Sequence, residues 1–173
     1  MTLIKHATDL VTDAFAKTEK TTEHSFKVFE ILKNRFGVED AELLAAGLCH
    51  DLLEDTEVTA DELENRTSKR VASIVKEISH SKGVSRAEKM ELYRSLPSVS
   101  DDAKLVKLAD YLANLEWNIE VIQNNELERY PFLKDPDEYM KALAVFLDSC
   151  REAYPRETVL VARAMEEVES LHA

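Results

Sequence analysis

The sequence predicts an all-α protein, a bundle of eight or nine helices. Glycine occurs only 3 times and proline 4 times in 173 residues, where average usage of roughly 7% would supply about 12 glycines. The tight turns of a β-rich fold draw on Gly, Asn and Pro, so such a fold is excluded. Apolar residues recur three and four positions apart through most of the chain, the helical period. Two segments, Thr59–Glu62 and Ser85–Glu88, have the spacing of a capping box at a helix start.

Leu3, Ile4, Ala7, Leu10, Val11, Ala14 and Phe15 form one face of a helix over about 3–19. A second helix over about 22–36 carries Phe26, Phe29, Ile31 and Leu32, and Gly37 is a fitting stop. The third, about 39–53, is apolar almost all round and therefore central. Helices open at the two capping boxes, and between them 68–79 turns Val71, Ile74, Val75 and Ile78 inward. Ser100 caps a long helix over about 101–124, and 125–136, with Pro131 and Pro136, is a loop. Helices over about 137–153 and 155–170 follow, the second opening on Pro155, a favoured first-turn position. No repeat or linker divides the chain, so residues 1–173 are expected to form one domain.

Acidic residues number 34 and basic residues 22, a net charge of −12. That surface repels phosphate backbones and argues against DNA or RNA as a partner. It leaves room for a small anionic ligand held by a metal ion and a few lysines. Cys49 and Cys150 make no CxxC pair, which suits a reducing, cytoplasmic setting. Asp9 and Asp13 interrupt the first apolar stretch, so it does not read as a signal peptide, and no run approaches the ~20 apolar residues of a membrane span. A homodimer stays open.

The informative segment is Leu48-Cys-His50-Asp51-Leu-Leu-Glu54-Asp55-Thr56, four polar groups at the end of the most apolar helix. Buried there, they need pairing or a metal ion. On a continuing helix Glu54 lies four residues after His50 and Asp55 four after Asp51, so all four crowd one side. Further ligands must come from other helices. His24 lies on the second helix. Asp110 continues the inward series Leu105, Leu108 and Leu112. Two imidazoles and two carboxylates suit a borderline-hard divalent ion, which acidifies water and polarises a phosphoryl oxygen.

His24, the His50-Asp51 pair and Asp110 resemble the H…HD…D signature of the HD-domain metal-dependent phosphohydrolases. Within them the segment His50-Asp-Leu-Leu-Glu-Asp-Thr56 resembles the HDxxEDT motif of the RelA/SpoT-type alarmone hydrolases, and Lys107-Leu-Ala-Asp-Tyr-Leu-Ala-Asn114 resembles their KLADxxxN motif. The resemblance implies an HD-domain helical bundle that removes the 3′-pyrophosphate of guanosine penta- and tetraphosphate with the help of Mn²⁺. Fe²⁺, Zn²⁺, Co²⁺ and Ni²⁺ are also compatible with the donors. It implies His24, His50, Asp51 and Asp110 as metal ligands, Glu54 and Asp55 as the acidic pair that handles water and protons, and Asn114 as a nucleotide contact. The chain departs from the family in the segment before His24, which lacks the basic, glycine-containing stretch. It departs again at Tyr111, Ala113 and Glu116, which replace Arg, His and Arg of the distal motif. The alternatives are an HD-type 5′-nucleotidase, another nucleotide phosphohydrolase, or a nucleotide sensor without turnover.

Some positions have a plainer reading. Glu54 and Asp55 also suit a solvated loop or a cap, and Asn114 also suits a bridge between helices. Lys20, Lys82, Lys104 and Lys107 are candidate phosphate anchors. His80 reads as an exposed loop residue, and His6 and His172 as surface groups. Tyr111 and Trp117 can stack on a base, although core packing is the expected place for Trp117.

Overall fold

A computed structural model describes residues 2–129 and 137–172. The Thr2 hydroxyl accepts the Lys5 N–H and opens α1 (Leu3–Phe15). The helix stops four residues short of the expected end because Thr18 turns its hydroxyl onto the Phe15 carbonyl, an alternative to the next helical turn. Helix α2 (Glu23–Glu30) runs straight into a wider π turn over Ile31–Arg35, closed by the Phe36 N–H on the Ile31 carbonyl. Gly37, at φ +73°, ends it as the sequence predicts.

Asp40 caps α3 (Ala41–Cys49) by accepting the Glu42 and Leu43 N–H groups. The expected helix over 39–53 is broken at His50 and Asp51. The His50 ring takes the Gly47 carbonyl through Nδ1 at 2.9 Å, and a new single turn, α4 (Leu52–Asp55), starts afterwards. Thr59 opens α5 (Ala60–Arg66) by accepting the Glu62 N–H, and Ser68 opens α6 (Lys69–Ile78) by accepting that of Val71. Helix α7 (Arg86–Ser95) has the full capping box, Ser85 and Glu88 each holding the other's backbone N–H. A 3₁₀ turn follows at Leu96–Ser98.

Ser100 caps the longest helix, α8 (Asp101–Gln123), as expected. The predicted loop over 125–136 begins with a 3₁₀ turn at Leu127–Arg129, and its part over 130–136 lies outside the described residues. Helices α9 (Asp137–Cys150) and α10 (Pro155–His172) complete the chain. Among the described residues there are nine helices of seven residues or more and no strand. No described helix is long and apolar enough to cross a membrane.

Helix α8 is the axis of the bundle, packed against α2, α3, α6 and α10. One apolar core runs from Ala7 of α1 to Val168 of α10 and includes Leu108, Leu112 and Leu115 of α8. A Cβ at Gly47 would collide with Leu32 Cδ1, so the glycine lets α3 lie close against the helix that carries His24. Arg70 of α6 ties three elements together, bonding Asp40 at 2.7 Å, Glu42 at 3.2 Å and Asp102 at 2.8 Å.

Leu108→Ala, which empties a fully buried site on α8, is expected to cost about 3 kcal/mol in urea unfolding with an unchanged m-value. The hydrogen bond from Arg70 holds the Asp40 carboxyl below its ordinary value of 3.8. A depressed carboxyl stabilises the fold above its unfolded pKa and loses that contribution as pH falls through the folded value. Arg70→Ala should therefore lower the urea midpoint at neutral pH, modestly because the pair is half exposed. The variant and wild type should converge once the pH falls below the folded pKa of Asp40.

Candidate metal centre

Three elements bring four donor atoms to one point. Helix α2 supplies His24, the break after α3 supplies His50 and Asp51, and the middle of α8 supplies Asp110. His24 Nε2 lies 2.9 Å from Asp110 Oδ1 and 3.8 Å from Asp51 Oδ2. His50 Nε2 lies 3.1 Å from Asp51 Oδ2 and 3.6 Å from Asp110 Oδ1. The donors of His24, His50 and Asp51 all fall within 4.8 Å of one another. Ligands at right angles on metal bonds of about 2.1 Å stand about 3.0 Å apart, so these spacings suit His24, His50 and Asp51 around one ion, with Asp110 Oδ1 beside both rings.

The protonation pattern leads to the same place. His50 is 3% exposed, and its Nδ1 faces the Gly47 carbonyl, which only accepts, so Nδ1 carries the hydrogen. Nε2 faces two carboxylates and is buried without a well-aligned hydrogen-bond partner. A positive charge must sit among these atoms. Burial pulls the His50 imidazole down, yet the charges of Asp51 and Asp110 outweigh it and hold the ring well above its ordinary value. Burial pushes Asp110 up, and the Lys107 ammonium and the two histidines overcome it and hold the carboxyl well below the carboxylate range. A field that binds a proton this firmly favours a divalent cation more. The donor set fits such an ion.

Around the cluster the other sequence-predicted residues take separate places. Glu54 is largely buried, and His80 supplies both its backbone N–H, 3.1 Å from Oε1, and its ring, 2.9 Å from Oε2. Burial raises the Glu54 carboxyl, with Lys107 and His80 pulling against it and Asp51 adding to it. Asp55 turns the other way and binds Lys20. Consecutive residues of one helical turn point about 100° apart, so the acidic pair is split between His80 and Lys20. Asn114 does two things at once: its Nδ2 donates to Asp110 Oδ1 at 2.7 Å, and it lines an adjoining cavity.

Four expectations are corrected. Lys107, expected as a phosphate anchor, is 8% exposed, bonds Asp110 Oδ2 at 2.6 Å and stands over the Tyr93 and Tyr111 rings. The desolvation of its ammonium is compensated there by Asp110 and by the faces of the rings. Tyr111 is fully buried among Tyr93, Tyr139 and Phe146, out of reach of a base. Trp117 is not core: it is 37% exposed and lines the cavity. His80, expected on an exposed loop, is mostly buried against Glu54. The available signal for it was its position just past Ile78, the last inward residue of α6. Lys82 remains exposed and binds Glu57, and Lys104 reaches the Ser149 carbonyl at 3.4 Å. The side chain of His172 lies outside the described residues.

The cavity measures about 450 Å³ and opens beside the cluster, with His24 and Asn114 on its wall and Trp117, Lys27, Glu23 and Glu120 around it. Glu116 also lines it and is held by Lys27, at 2.9 Å, and by Arg35 from the π turn.

Residues 3–130 match the HD domain family. The chain is an HD domain protein. Relatives of this HD domain include the guanosine-3′,5′-bis(diphosphate) 3′-pyrophosphohydrolase MESH1 of Xenopus tropicalis, 40% identical over 100 residues, 56% of either chain. The Homo sapiens MESH1 is 40% identical over 93 residues, 53% of this chain and 52% of its own. The chain thus spans about half the length of the curated relatives it matches. A solved structure described as a metazoan ortholog of SpoT that hydrolyses ppGpp shares the fold. Its TM-score is 0.77, with 20% identity over 96% of both chains.

His50→Ala and Asp110→Ala each remove a donor that two others face. Metal analysis of the purified variants should show content falling from about one ion per chain to background. Full loading of both would contradict the centre.

Proposed function

We propose that this HD domain protein is a metal-dependent phosphohydrolase that acts on a nucleotide, with guanosine-3′,5′-bis(diphosphate) as first candidate and release of its 3′-pyrophosphate as the reaction. The supporting observation is the juxtaposition of a four-donor cation site, a buried carboxylate beside it and a nucleotide-sized cavity that shares His24 and Asn114 with it. The names of the curated relatives point to the same substrate. Residues 1–173 act as one unit, since a single core spans α1 to α10.

In this reading His24, His50, Asp51 and Asp110 hold the ion, with Mn²⁺ the first candidate for a mixed nitrogen and oxygen set. Such an ion, when bound, acidifies water and polarises a phosphoryl oxygen. Glu54 orients the attacking water and takes its proton. Its raised carboxyl lies closer to neutrality, where a general base works best. Lys107 keeps Asp110 ionised and aimed, and Asn114 fixes the same carboxylate from the cavity side. The base lies against Trp117, and Lys20 and Lys82 leave Asp55 and Glu57 to meet phosphate, an easy exchange because exposed ion pairs are weak.

One observation favours a second reading, a nucleoside 5′-monophosphate as substrate. The cavity wall carries Glu23, Glu116 and Glu120 against Lys27, which suits fewer phosphate charges. Release of phosphate and pyrophosphate, measured with each divalent ion, separates the two substrates. Binding without release under every ion would make the protein a sensor instead.

Glu54→Gln is expected to lower kcat by about 10²- to 10⁴-fold while metal content stays at wild-type level. Trp117→Ala should raise KM by about tenfold, the value of one base stacked on an aromatic ring, with little change in kcat.

A further inference from the structure

The proposed base Glu54 has a partner that the metal chemistry does not use. His80 stands just beyond the end of α6, in Ser79-His80-Ser81, and meets the carboxylate twice: its backbone N–H lies 3.1 Å from Oε1 and its ring Nε2 2.9 Å from Oε2. The other ring nitrogen, Nδ1, lies 2.9 Å from the Ser81 carbonyl and so carries a hydrogen. Nε2 is closed to solvent and makes no well-aligned hydrogen bond. The backbone hydrogen bond and the close approach of the ring hold the carboxylate from two sides.

We propose that His80 is the positioning residue of Glu54, gripping both carboxylate oxygens so that the base meets water in a single orientation. The inference rests on Glu54 as the general base. The grip comes from backbone and ring of one residue, anchored in turn by Ser81 and by Ser79, whose hydroxyl bonds the Val75 carbonyl at 2.7 Å. A carboxylate has about four lone-pair sites, so two remain for water. The charged groups acting on Glu54 are His80, Lys107 and Asp51. Lys107 is committed to Asp110, which leaves His80 as the adjustable partner.

The test uses the Mn²⁺-loaded full chain with guanosine-3′,5′-bis(diphosphate) and a deoxynucleoside 5′-monophosphate as probes. In His80→Ala, kcat falls about tenfold with KM within about twofold. The acid limb of the kcat profile moves to higher pH, because Glu54 has lost its positive neighbour. His80→Gln, whose amide N–H reaches the same oxygen, recovers most of kcat. An unchanged kcat in His80→Ala overturns the proposal. So does an equal loss in both variants with an unmoved acid limb, which would mark a merely structural residue. Long-range ¹H–¹⁵N spectra of the full chain read the pairing without turnover: Glu54→Gln moves the His80 Nε2 resonance while Nδ1 keeps its hydrogen. A resonance that stays put overturns the pairing even in an active enzyme. A wild type that hydrolyses neither probe, with the resonance moving as expected, sinks the phosphohydrolase reading and the positioning role while leaving the contact itself standing.

Discussion

The packing of two imidazoles against two carboxylates at the centre of the bundle is the constraint on which the rest of this structure depends. Asp110 is 4% exposed on the axial helix α8, and an isolated charge there would be prohibitively costly. It is tolerated because Lys107 meets one oxygen while His24 and Asn114 meet the other. His50 imposes a second demand, since its outer nitrogen is buried between two carboxylates without a well-aligned hydrogen-bond partner. A cation at the point where α2, α3 and α8 converge would meet both demands. Gly47 lets α3 lie against Leu32 beyond α2, and α3 ends at His50 within this cluster.

Around this point the fold distributes polar groups by what each one faces. Glu54 goes inward to His80, Asp55 outward to Lys20, and Lys107 inward to Asp110. The π turn after α2 brings Arg35 to Glu116 across the cavity, where burial pushes that carboxyl up but Lys27 and Arg35 hold it below its ordinary range. The cavity wall is therefore neutralised in part and acidic in part. That balance bears directly on how many phosphate charges a bound nucleotide carries.

Much of this was legible along the chain. The helices follow from apolar period and capping residues, and Ser85 with Glu88, Ser100 and Pro155 open helices where local chemistry predicts. His50, Asp51 and Asp110 could be picked out because polar residues stood at otherwise inward positions or at the end of the most apolar helix, and His24 through its match to the H…HD…D signature. The less legible parts are those where one local preference competes with another or with a distant contact. Nothing in the run from Ala41 to Leu53 marks a break, because the competitor is the His50 ring bonding the carbonyl behind it. Trp117, a large aromatic expected in the core, is turned by its place on α8 toward the cavity between that helix and α2.

The chain by itself determined the helical class, the order of the elements and the identity of the four inward polar residues. Each of these follows from backbone propensity and from the cost of burying charge, which act within a few residues. Tertiary structure decided which polar groups face each other: Glu54 with His80, 26 residues away, and His24 with Asp110, 86 residues away. It also decided that Lys107 turns inward onto Asp110. Such pairings depend on interhelical distance and on which side of a helix turns inward, quantities that sequence spacing leaves free until the helices pack.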